Sequence, residues 1–421
     1  MKNRIKQYLL AASMCVGLTA CSDFFEPIPG VQFGLDETFA SKQRTEEYLN
    51  NVYSYVREVT DAIHPNTYGG IFTEASLDGA NRWNKTYAEW TNGSFNSASA
   101  QASEYFSKYY QAIAKASTFI QNVDKCTEAA ASTRGKWKSE ARALRAYYYF
   151  ELLRLYGPIP LIGEDPIPLD ASLEELIKER NSVDECVNFI ATELQSAIDS
   201  GDLLQRAGKA NLGRMDVATC MALKAKLYLY WASPLFNGNT DQASVKNKDG
   251  KQLFPQTEDN SKWAQARDAY ERFMTFATGQ GYKLTEVYTN GKLDPYASCR
   301  AAGEFFTTTW EAVDELIFVK LRDLYDYTYW VCPKFTDFQD TDVTGGGGYY
   351  TTQETVDLFF TKDGLTIEED PGYDKFEGIP GANNFTSGRY YDPNNPSRLY
   401  FDADKSKVLK QWKDREPRFY V

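Results

Sequence analysis

Ser139–Ile162 reads SEARALRAYYYFELLRLYGPIPLI, and the fold turns on how this stretch is read. Together with Trp137 just ahead of it, Ala141, Leu144, Tyr148, Leu152 and Leu155 recur at steps of three and four, which lays one apolar stripe along an α-helix. Ala143, Tyr147, Phe150 and Leu153 form a second stripe on another face. A helix apolar on most sides belongs inside a bundle, and its small alanines let neighbouring helices approach closely. Gly157 suits a left-handed C-terminal cap, and Pro158 and Pro160 prevent continuation. Arg142 and Arg145 lie near the packed faces and require carboxylate partners there.

Working outward, Tyr48, Val52, Val56 and Val59 give helical spacing over Lys42–Val59, and Phe106 to Val123 give it over Glu104–Val123. Ser182-Val183-Asp184-Glu185 is a capping box opening a helix that carries Cys186, Phe189, Ile190, Leu194 and Ile198. Asp216 is placed to cap the next helix and Ser261 the one after, with Trp137, Trp231 and Trp263 assigned to the core. Short polar links between such helices predict a mainly α fold of stacked, tetratricopeptide-like hairpins. Past Leu284 the texture changes. Leu316–Leu321 reads as a strand, and Asp337–Tyr400 is dense in Gly, Asn, Asp and Pro, which predicts a smaller, irregular, loop-rich C-terminal region.

The net charge of −12 argues against a nucleic-acid partner, because phosphate backbones would repel the chain. Lys2, Arg4 and Lys6 precede a short apolar run ending in Leu18-Thr19-Ala20-Cys21, which reads as a secretory signal over residues 1–20. The run is too short to span a bilayer, and Leu-Thr-Ala-Cys resembles a bacterial lipobox, with Cys21 as the lipidated residue. Cys126, Cys186, Cys220, Cys299 and Cys332 form no C-x-x-C pair and read as buried thiols. A single histidine, His64, gives no basis for a multi-histidine metal site or a nucleophilic triad. No catalytic residue, cofactor or metal is assigned; Asp340, Asp342, Asp363 and Glu368 to Asp370 read as solvated loop charges rather than calcium ligands.

Binding chemistry has better candidates. Sugar rings offer apolar C–H faces to Trp and Tyr, while their hydroxyls need amide, carboxylate and guanidinium groups at the edges. Asn81, Arg82, Trp83 and Trp90 supply that mixture in one irregular stretch, and Tyr327 and Trp330 supply aromatic rings in another. These six are the candidate ligand-binding residues, with Trp83 and Trp330 foremost.

The segment ARALRAYYYFELLRLYGPIPL resembles the hallmark of the SusD/RagB family of Bacteroidetes nutrient-uptake lipoproteins. Leu212-Gly213-Arg214, Glu315-Leu316-Ile317-Phe318, Thr352–Phe359 with Asp363-Gly364, and Asp414-Arg415-Glu416-Pro417-Arg418-Phe419-Tyr420 resemble further family blocks in the expected order. The resemblance implies a SusD-like α-α superhelix, divided into signal (1–20), helical region (21–284) and C-terminal region (285–421). Family members continue past the RDPRFY-like element, so the resemblance implies a C-terminally shortened chain ending at Val421. It also implies a non-enzymatic, lipid-anchored outer-membrane protein that captures oligosaccharides for a SusC-like TonB-dependent transporter. The alternatives are peptide capture of the RagB type and surface glycoside hydrolysis.

Overall fold

The structure is a computed structural model describing residues 34–56, 80–81, 89, 93–168, 171–304, 314–320, 349–373, 385–387, 407–412 and 414–420. It is mainly α. Helices α1 (Leu35–Ala40) and α2 (Lys42–Tyr53) precede a long α3 (Ala100–Asn122) and α4 (Ala131–Tyr156), and the one-turn α5 (Leu173–Leu176) follows. Then come α6 (Val183–Asp199), α7 (Val217–Ala232) and α8 (Ser261–Gly279). The long helices pack in a chain: α3 on α4, α4 on α6, α6 on α7 and α7 on α8. This is the stacking of successive hairpins that the apolar periodicity predicts.

Helix α4 is the centre of that stack, buried almost continuously from Ser139 to Leu153. Arg142 and Arg145, two of its four arginines, share one buried carboxylate. The Arg145 guanidinium, fully buried, donates through Nε to Glu193 Oε2 of α6 at 2.9 Å and through Nη1 to Ser117 Oγ of α3 at 3.1 Å. Arg142 donates to the other Glu193 oxygen at 3.1 Å. One buried carboxylate thus ties the middle of α4 to α6, with α3 joined through the serine. Gly157 ends the helix at φ +67°, its N–H bonding to Leu153 O at 2.9 Å. A Cβ there would stand 3.0 Å from the Phe254 ring, so any other residue would crowd that ring besides straining the backbone.

The caps form as their sequences predict. Ser182 Oγ accepts from Glu185 N–H while Glu185 returns a bond to Ser182 N–H, and Asp216 accepts from Thr219 N–H. For α8 the capping residue is Asn260, and Ser261 is the first helical residue, its N–H donating to Asp259 Oδ1. Trp137 is in the core and Trp231 is half-buried, but Trp263 is 42% exposed. The reason is position: among the described residues α8 is the last long helix of the stack, and Trp263 lies on its exposed side. Cys126, Cys186 and Cys220 are buried free thiols and Cys299 is half-buried; Cys332 lies outside the described residues.

Past α8 the elements are short. Strands β2 (Tyr288–Thr289) and β3 (Lys292–Leu293) form a hairpin before α9 (Pro295–Glu304). Strand β1 (Ala80–Asn81) pairs antiparallel with β4 (Tyr349–Tyr350), and β5 (Phe385–Ser387) pairs with β6 (Lys407–Leu409). The strand expected at Leu316–Leu321 is absent over 316–320. Those residues lie against the helices as an irregular strap: Phe318 meets Tyr147 of α4 edge-on at 6.2 Å, and Thr219 of α7 bonds to Ile317 O. Apolar burial is satisfied by helix side chains there, so no ladder partner is needed.

The C-terminal blocks that are far apart in sequence meet in space. Thr361 bridges Arg415, with Lys362 N–H bonded to Asp414 O and Glu416 N–H to Phe360 O. The Arg415 side chain is 1% exposed and donates to Val356 O, which closes α10 (Gln353–Asp357), and to the Tyr373 hydroxyl. Its guanidinium also stands 5.2 Å from the Tyr373 ring and 5.1 Å from the Phe419 ring. The RDPRFY-like element is therefore a clasp, and its arginine is a structural residue.

Candidate functional site

Of the six candidate binding residues, the backbone of Asn81 is described, in β1. Arg82, Trp83, Trp90, Tyr327 and Trp330 lie outside the described residues, as do the lipobox Cys21, His64 and Asp340 and Asp342. What is described is how the two candidate stretches are held. In the antiparallel ladder Ala80 faces Tyr350 and Asn81 faces Tyr349. The chain leaving Asn81 toward Arg82 and the chain arriving at Tyr349 therefore meet the ladder at the same end.

A second tie joins the start of segment 321–348 to the end of α2. Lys320 Nζ, at the last described residue before 321–348, donates to Ser54 O and Val56 O, at 3.2 and 2.7 Å. Val56 is the last described residue before 57–79. These carbonyls lie just past the C-terminus of α2, where the helix leaves acceptors free and a cation is favoured. Two independent contacts thus tie both ends of segment 321–348, which holds Tyr327 and Trp330, to the part of the chain that precedes Arg82.

Between the α2 end and the strap is a cavity of about 270 Å³, open to solvent. Tyr53, Leu212, Phe318 and Val319 give it an apolar lining, with Asn50, Arg214 and Lys320 as its polar groups. Its floor is a polar knot. The Tyr53 hydroxyl donates to Glu140 Oε2 at 2.8 Å and accepts from Met215 N–H at 2.9 Å. Arg214 bonds to Glu140 and Glu46, both at 3.2 Å, and its guanidinium stands 5.2 Å from the Tyr53 ring. Burial pushes the Glu140 carboxyl above the usual glutamate range, against the opposing pull of Arg214 and the Tyr53 hydrogen bond. Burial and the Glu140 charge push the Tyr53 phenol well up, so it stays a neutral donor. Gly213 lets the loop pass the strap at φ +84°; a Cβ there would stand 2.9 Å from Val319 O.

Rings with an amide and cations at the rim suit non-covalent binding. Among the described residues no group of His, Cys, Asp and Glu is arranged to hold a metal ion, Asp363 and Glu368 to Asp370 included. No described helix is long and apolar enough to cross a membrane. Sequence reasoning passed over Tyr53, Phe318 and Lys320 as site residues. Tyr53 breaks no periodicity, and Phe318 and Lys320 sat in what read as a strand. The available signal was Leu212-Gly213-Arg214, a loop arginine with a glycine beside it.

Residues 32–229 match a family model described as SusD-like, starch-binding, associating with the outer membrane. Residues 315–421 match the SusD family model. A SusD-like protein of Bacteroides ovatus is 27% identical over 175 residues, 40% of this chain and 30% of that protein. Among solved structures, the protein BT4246 superposes with a TM-score of 0.68 at 24% identity, covering 90% of this chain and 64% of its own. A SusD-like protein of Bacteroides fragilis gives 0.62 at 20% identity, covering 92% and 62%. A SusD-like carbohydrate-binding protein of Bacteroides fragilis gives 0.56 at 17% identity, covering 80% and 57%. The chain thus spans less than a third of the curated relative and under two thirds of these solved ones. With the helical stack and the C-terminal clasp each matched by a model of one family, and in the order their blocks take along the sequence, this chain belongs to the SusD family.

Proposed function

We propose that this protein is a non-enzymatic, cell-surface binding protein that captures oligosaccharides. It is anchored by acyl chains on Cys21 and passes its ligand to a SusC-like TonB-dependent transporter in the outer membrane. The observation that carries this reading is the pair of ties, Asn81 to Tyr349 and Lys320 to Ser54 and Val56. The first sets the chain entering the stretch of Arg82, Trp83 and Trp90 beside the end of segment 321–348, which holds Tyr327 and Trp330, and the second fixes the start of that segment, so stacking rings and polar edges from both can serve one ligand. The family description, and relatives whose names are a carbohydrate-binding protein and a surface glycan-binding protein of Bacteroides uniformis, support the choice of ligand. In this reading residues 1–20 are the signal, 21–284 the helical region and 285–421 the C-terminal region.

The test is calorimetric titration against plant, host and microbial glycans, with the spent mixtures checked for cleavage products. The expected result is saturable binding without products, weakened about tenfold or more in Trp83→Ala and in Trp330→Ala, since a stacked aromatic ring in a site contributes one or more kcal/mol. Products would move the protein to the hydrolases. No binding by the folded protein would move the ligand to peptides.

A further inference from the structure

Lys224, Tyr228 and Trp231 follow one another along α7 at steps of four and three and share one face of the helix. Helix α7 packs on α6 at one side and on α8 at the other, so this face is the floor of a trough between them. The Tyr228 and Trp231 rings lie along the floor with centroids 6.0 Å apart, both half-buried.

The two ends of the trough differ in charge balance. At the Trp231 end, Asp184 of α6 accepts from the indole Nε1 at 2.6 Å and from Lys262 Nζ of α8 at 3.1 Å. Lys262 also stands 4.4 Å over the Trp231 ring. That cation has its carboxylate. At the other end, Lys224 Nζ donates to Gln195 Oε1 of α6, a neutral amide, at 2.7 Å, and lies 5.9 Å from the Tyr228 ring. Arg272 of α8 acts electrostatically on both Lys224 and Tyr228. The carboxylates on Arg272's own stretch of helix are engaged by another arginine: Asp268 and Glu271 are held by Arg267, at 2.7 and 3.6 Å. Asp199, the acid nearest in effect to Lys224, is bonded by Gln195 Nε2 at 2.7 Å. Among the described residues neither Lys224 nor Arg272 forms an ion pair.

Burial first, and then the Arg272 charge, hold Lys224 below the usual lysine range. Two like charges beside a half-buried ring, in a chain of net charge −12, are a local excess that an anion would relieve. A guanidinium and an ammonium provide the charge-assisted donors that carboxylate and sulfate groups need, and the adjoining tyrosine face provides a surface for a pyranose ring.

We propose that Lys224, Arg272, Gln195 and Tyr228 form a second, anion-selective saccharide site, taking the carboxylate or sulfate group of an acidic sugar between the two cations and its ring on Tyr228. It uses none of the residues of the capture site proposed above and stands or falls separately from it. Titration with hexagalacturonate, a heparin-derived hexasaccharide, maltohexaose and hexaglutamate tests it, at low and high salt. The acidic saccharides should bind more weakly as salt rises. Arg272→Ala should weaken them about tenfold or more, since an exposed side chain without an ion pair can be removed with the fold intact. Lys224→Gln should act in the same direction, and neither variant should change any binding of the neutral maltohexaose. Carboxylate and sulfate sources are separated by which hexasaccharide binds. The proposal is overturned if neither acidic saccharide binds, if Arg272→Ala keeps full affinity, or if hexaglutamate binds as tightly, which would make the site one for acidic peptide.

Discussion

The helical stack and the C-terminal clasp each bury an arginine almost completely, and the two arginines join different kinds of structure. In the stack, Arg145 meets the carboxylate of Glu193, so charge is cancelled by charge across helices. In the clasp, Arg415 meets the Val356 carbonyl, the Tyr373 hydroxyl and two aromatic faces, and its charge also acts on the Glu416 carboxylate. The first arrangement joins elements that already stack by apolar packing. The second joins short segments that share little apolar surface, and the arginine is what gathers them. A buried arginine inside a large core and one among small loops therefore support different things, the one a register between helices and the other the existence of a local structure.

Removing Arg145 should give the largest effect. Arg145→Leu leaves the 5%-exposed Glu193 carboxylate with Arg142 alone, and the loss should be about 3–5 kcal/mol of global stability, read by urea unfolding. A loss below about 1 kcal/mol would show that the pair contributes no more than an apolar replacement. Arg415→Ala sharpens the contrast from the other side. Each lost bond from a charged donor is worth about 1.5–3 kcal/mol, but the effect should stay local. Hydrogen exchange should rise over 356–373 and 411–420 while the urea midpoint of the helical stack is unchanged. Coupled loss in both regions would mean that the clasp and the stack unfold as one unit.

The smallest expected effect lies where the cavity meets the stack. Glu140 has its carboxyl raised by burial, so the folded protein holds that proton more tightly than the unfolded chain does. The resulting contribution is fully present below the ordinary glutamate value of 4.5 and is lost as pH rises through the raised value. Glu140→Gln should therefore flatten the fall in melting temperature with pH over that window, leaving Asp216, also raised by burial, to account for what remains. An unchanged slope would place the proton elsewhere.

How much of this could be read from residues depends on how local the cause is. The buried helix, its glycine stop, the Ser182 and Asp216 caps and the need for an acid opposite Arg142 and Arg145 all follow from spacing within one or two turns. The strand expected at 316–321 failed because a short apolar run can be covered by helix side chains as well as by a ladder, and nothing inside the run distinguishes the two. Trp263 was misassigned for a similar reason: its spacing marks a helix face, but whether another layer covers that face is a property of its place at the end of the stack. The clasp was visible as two family-like blocks, without any sign that one arginine joins them.

By itself, then, the sequence determined the helical class, the element boundaries to within a few residues, the targeting segment as an expectation, and the family through the order of its blocks. These rest on periodicity, capping chemistry and motifs, all carried by neighbouring residues. Only the tertiary structure decided that Glu193 is the acid for both Arg142 and Arg145, that Lys320 caps α2, that Asn81 and Tyr349 share a ladder, and that Lys224 bonds to the Gln195 amide. Each of those joins residues tens to hundreds of positions apart, where the cost of closing the chain is met by packing of the whole rather than by any local preference.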